Sequence, residues 1–235
     1  MFISFEGIDG VGKSTQADLL EAHLVGLSRE VVRTLEPGGS ELGRDIRKLL
    51  LHSGHVDARA EALLYAADRA HHVHSVIRPA LAQGDVVISD RYFDSSIAYQ
   101  GAGRILQPQE VARISRWATE SLFPTLTIII DLPPQIGLAR LKSKDRLESQ
   151  PMDFHERVRQ EFLQLAALDP ERYVIIDGNQ SIEDTHAAII SRVSEIPALK
   201  RNAVEDKGNL LLRPIRAAGK AVKKAAPKKK SAKKK

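Results

Sequence analysis

Residues 7 to 14 read Gly-Ile-Asp-Gly-Val-Gly-Lys-Ser, and these eight positions constrain the fold more than any other part of the chain. They fit the pattern G-x-x-x-x-G-K-[ST]. Before them, Phe2 to Glu6 alternates apolar and polar residues as a strand does. After them, Ala17, Leu20 and Leu24 recur at helical spacing over residues 13–27. A glycine turn joining a strand to a helix lets successive backbone N–H groups, and the positive end of the helix dipole, converge on phosphate oxygens. Gly7, Ile8, Asp9, Gly10, Val11, Gly12, Lys13, Ser14 and Thr15 are therefore expected to hold the phosphates of a nucleoside triphosphate. Lys13 would reach the β- and γ-phosphates and the Ser14 hydroxyl would ligate Mg²⁺. The competing reading, a chance glycine turn, does not account for the flanking strand and helix.

Strand and helix patterns keep alternating along the chain. Strands are predicted at 31–35, 85–89, 126–132 and 173–176, in addition to the first. Helices are predicted at 41–51, 57–81, 95–99, 108–122, 134–141, 153–168 and 182–194. Residues 126–132 are apolar on both faces, which suits a strand covered from each side. The pattern predicts an α/β fold of the P-loop NTPase type, in three α/β/α layers around a five-stranded parallel sheet. In such sheets ligands sit beyond the C-terminal strand ends. A polar, cationic segment at 142–152 interrupts the alternation and is expected to act as a lid. The expected domain covers 1–199. Residues 200–235, rich in Lys, Ala and Pro, are expected to form a disordered basic tail.

Charge divides the same way. The chain carries 35 Lys and Arg against 30 Asp and Glu, but 12 of the basic residues lie from Lys207 onward with no acidic residue among them. The first 206 residues hold 23 basic and 30 acidic side chains, a net of −7, which argues against a folded nucleic-acid site. Weak, sequence-independent nucleic-acid contact through the tail stays open beside a solvated tail without a partner. With no cysteine, disulfides and thiolate chemistry are excluded. No apolar run approaches the roughly 18 residues of a spanning helix, and the N-terminus does not read as a signal peptide. A soluble cytoplasmic protein without membrane contact is expected. His71, His72 and His74 invite a metal reading, but on a helix only His71 and His74 share a face with no third ligand apparent, and all three are expected to face solvent.

The nucleotide motif leaves the reaction open. The asparagines lack the N-K-x-D neighbours of a GTPase, and ATP-driven motors are usually larger, so a kinase of a small acceptor is favoured. Four segments then carry a family resemblance. They are 5–16, starting Phe5-Glu6-Gly7; 34–40, Thr-Leu-Glu-Pro-Gly-Gly-Ser, with 46–51 after it; 63–70, Leu-Leu-Tyr-Ala-Ala-Asp-Arg-Ala; and 90–101, Asp-Arg-Tyr-Phe-Asp-Ser-Ser-Ile-Ala-Tyr-Gln-Gly. In that order, over about residues 1–195, the sequence resembles bacterial thymidylate kinases, which are nucleoside monophosphate kinases.

The resemblance implies ATP-dependent phosphorylation of dTMP to dTDP, with ATP and Mg²⁺ as cofactors and a homodimer as the assembly. It places Arg69 on the thymine base, Tyr65 stacked against it, and Ser96 and Gln100 as polar contacts to it. Tyr99 lies over the deoxyribose, leaving little room for a 2′-hydroxyl. Glu36 belongs to the acceptor shell, and Asp9 meets the sugar hydroxyl or the metal, alongside Ser14 and Asp90. Arg91 bridges donor and acceptor phosphates with its planar fork. Some relatives carry an arginine inside the phosphate loop where this chain has Gly10. Such chemistry needs cations positioned on the transferring group. Arg140, Lys142, Lys144 and Arg146 are the lid cations available for it. Arg146 lies in the family-like Asp145-Arg146-Leu147-Glu148, and Arg140 is the second expected catalytic arginine beside Lys13 and Arg91. Two alternatives remain: a kinase of another nucleoside monophosphate, and a nucleic-acid-binding ATPase using the tail.

Overall fold

The computed structural model describes residues 1–103, 106–143 and 145–200. Lys144 and the tail beyond Lys200 lie outside the described residues. The chain runs through β1 (Phe2–Glu6), α1 (Lys13–Gly26), β2 (Val31–Leu35), α2 (Glu41–His52) and α3 (Ala58–His72). Next come α4 (Arg78–Ala82), β3 (Val86–Asp90), α5 (Phe93–Ser96), α6 (Pro108–Ala118) and β4 (Leu126–Asp131). It ends with α7 (Pro134–Ala139), α8 (Met152–Leu168), β5 (Tyr173–Asp177), α9 (Ile182–Ser194) and the short α10 (Pro197–Lys200).

The strands form the expected five-stranded sheet, all parallel, in the order β2-β3-β1-β4-β5. Central β1 is buried along its whole length, and the strand period of two sends its residues into different layers. Ile3, opposite Ile88, packs with Leu20 and Leu24 of α1. Phe2, opposite Val87, packs on the other face with Val73, Ile77 and Tyr92. Several helix starts are capped by their own side chains. Ser40 accepts from the Gly43 N–H, Asp57 from the Arg59 and Ala60 N–H groups, and Ser181 from the Asp184 N–H.

From β1 the chain turns toward β2, and from β3 it turns the opposite way toward β4. The loops after these two adjacent strands therefore diverge and leave a crevice at their C-terminal ends. Residues 7–12 follow β1, and Asp90-Arg91 follows β3, so both border that crevice.

Local details depart from the sequence-based expectations. The helix predicted at 57–81 is one run, but it widens into a π-helical turn at Val73–Ile77. A second π-helical turn, Ile97–Ala102, extends α5 past the predicted end at 99. Helix α6 stops at Ala118 rather than 122. Glu120 and Ser121 take left-handed φ values of 48° and 57°, and their N–H groups close back on Trp117 and Arg116. Strand β3 runs through Asp90, which pairs with both Leu35 and Phe5. The short α10 was not predicted. Among the described residues no helix is long and apolar enough to cross a membrane.

Candidate active site

The phosphate loop is shaped by close backbone packing. Gly10 has φ 78°, and a Cβ there would stand 1.9 Å from the carbonyl oxygen of Gly137 in α7. A Cβ on Gly7, at φ 130°, would meet the Ile130 carbonyl oxygen at 2.5 Å. No side chain fits at position 10, so a loop arginine is sterically excluded here. Lys13 Nζ donates to the Gly7 and Ile8 carbonyls at 3.1 and 2.7 Å, folding back over the loop. Burial, followed by repulsion from the Arg91 guanidinium, pushes the Lys13 ammonium down to about 8, with Asp9, Asp90 and Glu6 opposing. Ser14 Oγ donates to Asp90 Oδ2 at 2.6 Å. That hydroxyl and carboxylate are hard oxygen donors of the kind Mg²⁺ prefers, so the pair fits the metal.

Arg91 occupies the junction after β3, in a left-handed conformation with φ 70°. Its Nη1 donates to the Gly7 carbonyl at 3.0 Å and to Ser95 Oγ at 2.9 Å, and its Nη2 is paired with Asp9. The other Asp9 oxygen accepts from the Tyr99 hydroxyl at 2.8 Å. Burial works to raise the Asp9 carboxyl, but Arg91 and then Lys13 outweigh it and hold the group down to about 2. Beneath this cluster lies Glu6, fully buried, which accepts from the Tyr92 N–H at 2.7 Å and from Ser95 Oγ at 2.6 Å. Burial and the nearby Asp94 push Glu6 up to about 8, against Ser95, Arg91 and the Tyr92 N–H. Glu6 thereby fixes the turn that aims Arg91.

Two clefts meet at this point. One, of about 600 Å³, is lined by Asp9, Glu36, Tyr65, Arg69, Arg91, Ser96, Tyr99 and Gln100, which are all the residues expected on the acceptor side. The other runs over Gly10, Gly12, Lys13, Ser14, Thr15, Asp90 and Arg140. Asp9, Glu36, Arg47, Arg91 and Glu148 border both.

In the acceptor cleft Arg69 is fully buried. It donates to Glu36 Oε2 at 2.7 Å, to Ser96 Oγ at 3.0 Å, and to the Tyr92 carbonyl and Ser115 Oγ, each at 3.3 Å. The other Glu36 oxygen is 2.9 Å from His72 Nδ1, whose Nε2 is 2.6 Å from Thr34 Oγ1. His72 thus corrects the expectation of three solvent-facing histidines, for it is buried inside the Glu36 network. No cluster of three or more His, Cys, Asp or Glu side chains that could hold a metal ion occurs among the described residues.

The sequence model of the thymidylate kinase family matches residues 5–189. The chain belongs to the thymidylate kinase family. A curated thymidylate kinase of Leifsonia xyli subsp. xyli is 55% identical over 198 residues, covering 82% of this chain and 94% of that protein. Another, from Bifidobacterium longum strain DJO10A, is 54% identical over 202 residues, covering 83% and 98%. The crystal structure of thymidylate kinase from Ehrlichia chaffeensis superposes with a TM-score of 0.69 at 34% identity, covering 82% of this chain and 98% of that one.

The arginines expected in the lid of this thymidylate kinase family member point to different places. Arg140 Nη1 lies 3.5 Å from the Gly10 carbonyl, at the phosphate loop. Arg146 instead donates to Glu61 Oε2 at 2.5 Å and to the Leu50 carbonyl at 2.9 and 3.2 Å, on the acceptor side. Asp145 and Glu148 brace the segment reciprocally. Asp145 Oδ1 accepts from the Leu147 and Glu148 N–H groups, and Glu148 Oε2 from the Asp145 N–H. Lys142 is exposed.

Several site residues were missed from sequence: Glu6, Arg47, Glu61, His72 and Ser95. A signal for two of them existed. Glu61, Tyr65, Asp68, Arg69 and His72 recur at three- and four-residue spacing, so α3 presents them along one face.

Proposed function

We propose that this enzyme transfers the γ-phosphoryl group of ATP to dTMP, giving dTDP and ADP, by direct in-line attack of an acceptor phosphate oxygen. The observation that carries this reading is the junction at Arg91, where the cleft lined by Arg69, Tyr99 and Gln100 opens onto the phosphate loop. No general base is required. A nucleoside monophosphate has a second pKa near 6, by analogy with phosphorylated side chains, so its attacking oxygen is already unprotonated at pH 7. As the new P–O bond forms, the bond from γ-phosphorus to the bridging oxygen breaks and its electrons leave with ADP.

The protein's task is then alignment and charge neutralisation. Lys13 supports the β- and γ-phosphates, and Arg91 spans donor and acceptor. Tyr99, pinned by Asp9, closes the sugar side against a 2′-hydroxyl. Ser14 and Asp90, with Asp9 beside them, would hold Mg²⁺, which when bound neutralises β- and γ-oxygens. Of the lid cations, Arg140 is the one whose position supports a role at the transferring phosphate. Arg146 supports the acceptor side. We expect Arg140→Ala to lower kcat by about 100-fold with KM for dTMP little changed, and Arg146→Ala to raise KM for dTMP instead. Equal effects of the two on both constants would refute this division.

The same reading includes a homodimer, for which the strip on α3 and α6 bearing Leu63, Ile114 and exposed Trp117 offers an apolar contact face.

Assay of ADP release with MgATP against dTMP, dUMP, UMP, CMP, AMP and GMP, with products identified by chromatography, tests the function. dTDP should form far ahead of other diphosphates. Transfer to a different monophosphate, or ATP loss with no phosphorylated acceptor, would defeat it.

A pH effect follows from Lys13. With the site free its ammonium titrates near 8, and a bound triphosphate favours the charged form. ATP binding should therefore take up protons above about pH 8 and none near pH 6.5. Calorimetry in buffers of different ionisation enthalpy reads this uptake directly, and Lys13→Met should abolish it.

A further inference from the structure

Glu61 is wholly buried on α3, one turn before Tyr65. Its two oxygens serve different partners. Oε1 accepts from Gln100 Nε2 at 3.0 Å, and Oε2 accepts from Arg146 Nη2 at 2.5 Å. Arg146 is anchored in turn by the Leu50 carbonyl. A carboxylate can only accept, whereas a carboxamide has a donor end and an acceptor end of nearly the same shape. With Nε2 turned to Glu61, the acceptor end is what Gln100 offers to the cleft it lines.

We propose that Glu61 is the positioning residue that sets base specificity, by holding the Gln100 carboxamide with Oε1 toward the acceptor base. The site then demands a ring N–H on that edge. This rests on the proposed binding of a pyrimidine monophosphate in the cleft. Thymine and uracil carry a hydrogen on N3. Cytosine has a bare N3, and facing Oε1 it would oppose two acceptors with no proton between them. A buried acceptor left without a donor costs more than a satisfied hydrogen bond contributes, so the selectivity comes from rejection. Glu61 itself touches no substrate and acts through Gln100.

Arg146 makes the idea testable. In Glu61→Gln the new carboxamide keeps its oxygen toward Arg146, which needs an acceptor, and presents its NH₂ to Gln100. The Gln100 amide must then flip and offer Nε2 to the cleft, which suits a bare ring nitrogen. The probes are dTMP and 5-methyl-dCMP, which share the methyl group and sugar. The ratio of their kcat/KM values should fall by about 100-fold in Glu61→Gln. It should not invert, because the Arg69 donors still line the cleft. In the double variant Glu61→Gln, Gln100→Glu, the NH₂ at position 61 has a carboxylate to donate to. The second oxygen of that carboxylate accepts from N3–H, and the preference for dTMP should return.

A folded Glu61→Gln enzyme whose ratio stays within twofold of wild type overturns the proposal, because a merely structural loss slows both acceptors alike. Should the single variant fail to fold, the double variant decides, and its failure to favour dTMP overturns the proposal equally. Wild-type enzyme that turns over dTMP no better than 5-methyl-dCMP would instead defeat the proposed function itself.

Discussion

Arg91→Ala should lower kcat for dTDP formation by about 10³-fold or more while ATP binding stays within a few-fold of wild type. The guanidinium contacts the Gly7 carbonyl, Ser95, Asp9 and Tyr99 at the one place where the two clefts join. No other arginine borders both clefts and is bonded to the phosphate loop itself among the described residues. Arg91→Lys should recover little. An ammonium cannot reproduce a planar fork directed at two phosphates and a carboxylate together. Steady-state kinetics with dTMP, together with ATP titration of the variant, checks both halves. Turnover within tenfold of wild type would remove Arg91 from the transfer step.

Arg69→Met should produce the largest loss of stability. Arg69 and Glu36 have only 1% and 2% of their side-chain surfaces exposed, at a separation of 2.7 Å. Removing the cation leaves the Glu36 carboxylate in a buried pocket facing His72. Breaking a buried pair in this way typically costs about 3–5 kcal/mol. For a domain of this size that corresponds to a fall in Tm of about 10 °C, which thermal denaturation reads. The double variant Glu36→Gln, Arg69→Met removes the stranded charge and should regain most of that loss. It should stay inactive toward dTMP, because the Arg69 donors proposed to face the base are gone. A single variant melting at the wild-type temperature would show that Glu36 finds another partner or a proton.

The two variants separate kinds of information in the chain. Arg91 was legible as a functional residue because it ends a strand pattern and begins a family-like segment. The phosphate loop was legible for the same reason: glycine spacing, a flanking strand and a flanking helix are all local. The five strands emerged with small shifts at their ends, since apolar alternation is a property of neighbouring residues.

The partners that give these residues their roles were less visible. His72 is an unremarkable histidine on a polar helix until β2 brings Thr34 and Glu36 against it. Glu61 and Arg146 are 85 positions apart, and nothing in either neighbourhood announces the pair. The π-helical turn at Ile97–Ala102 carries Tyr99 and Gln100, yet no local pattern distinguishes it from an ordinary helix.

The sequence alone therefore determined the alternation of strands and helices and the phosphate loop, while the resemblance supplied eight of the residues lining the acceptor cleft and missed Arg47 and Ser95. The alternation and the loop depend on short-range spacing and on residue types at fixed offsets. Tertiary structure alone decided the sheet order, the burial of His72, and the turning of Arg140 toward the phosphate loop and Arg146 toward Glu61. It also decided that the Gln100 amide nitrogen turns to Glu61. Those outcomes depend on which surfaces pack together, and a hydrogen bond between distant segments leaves no periodic trace in either one.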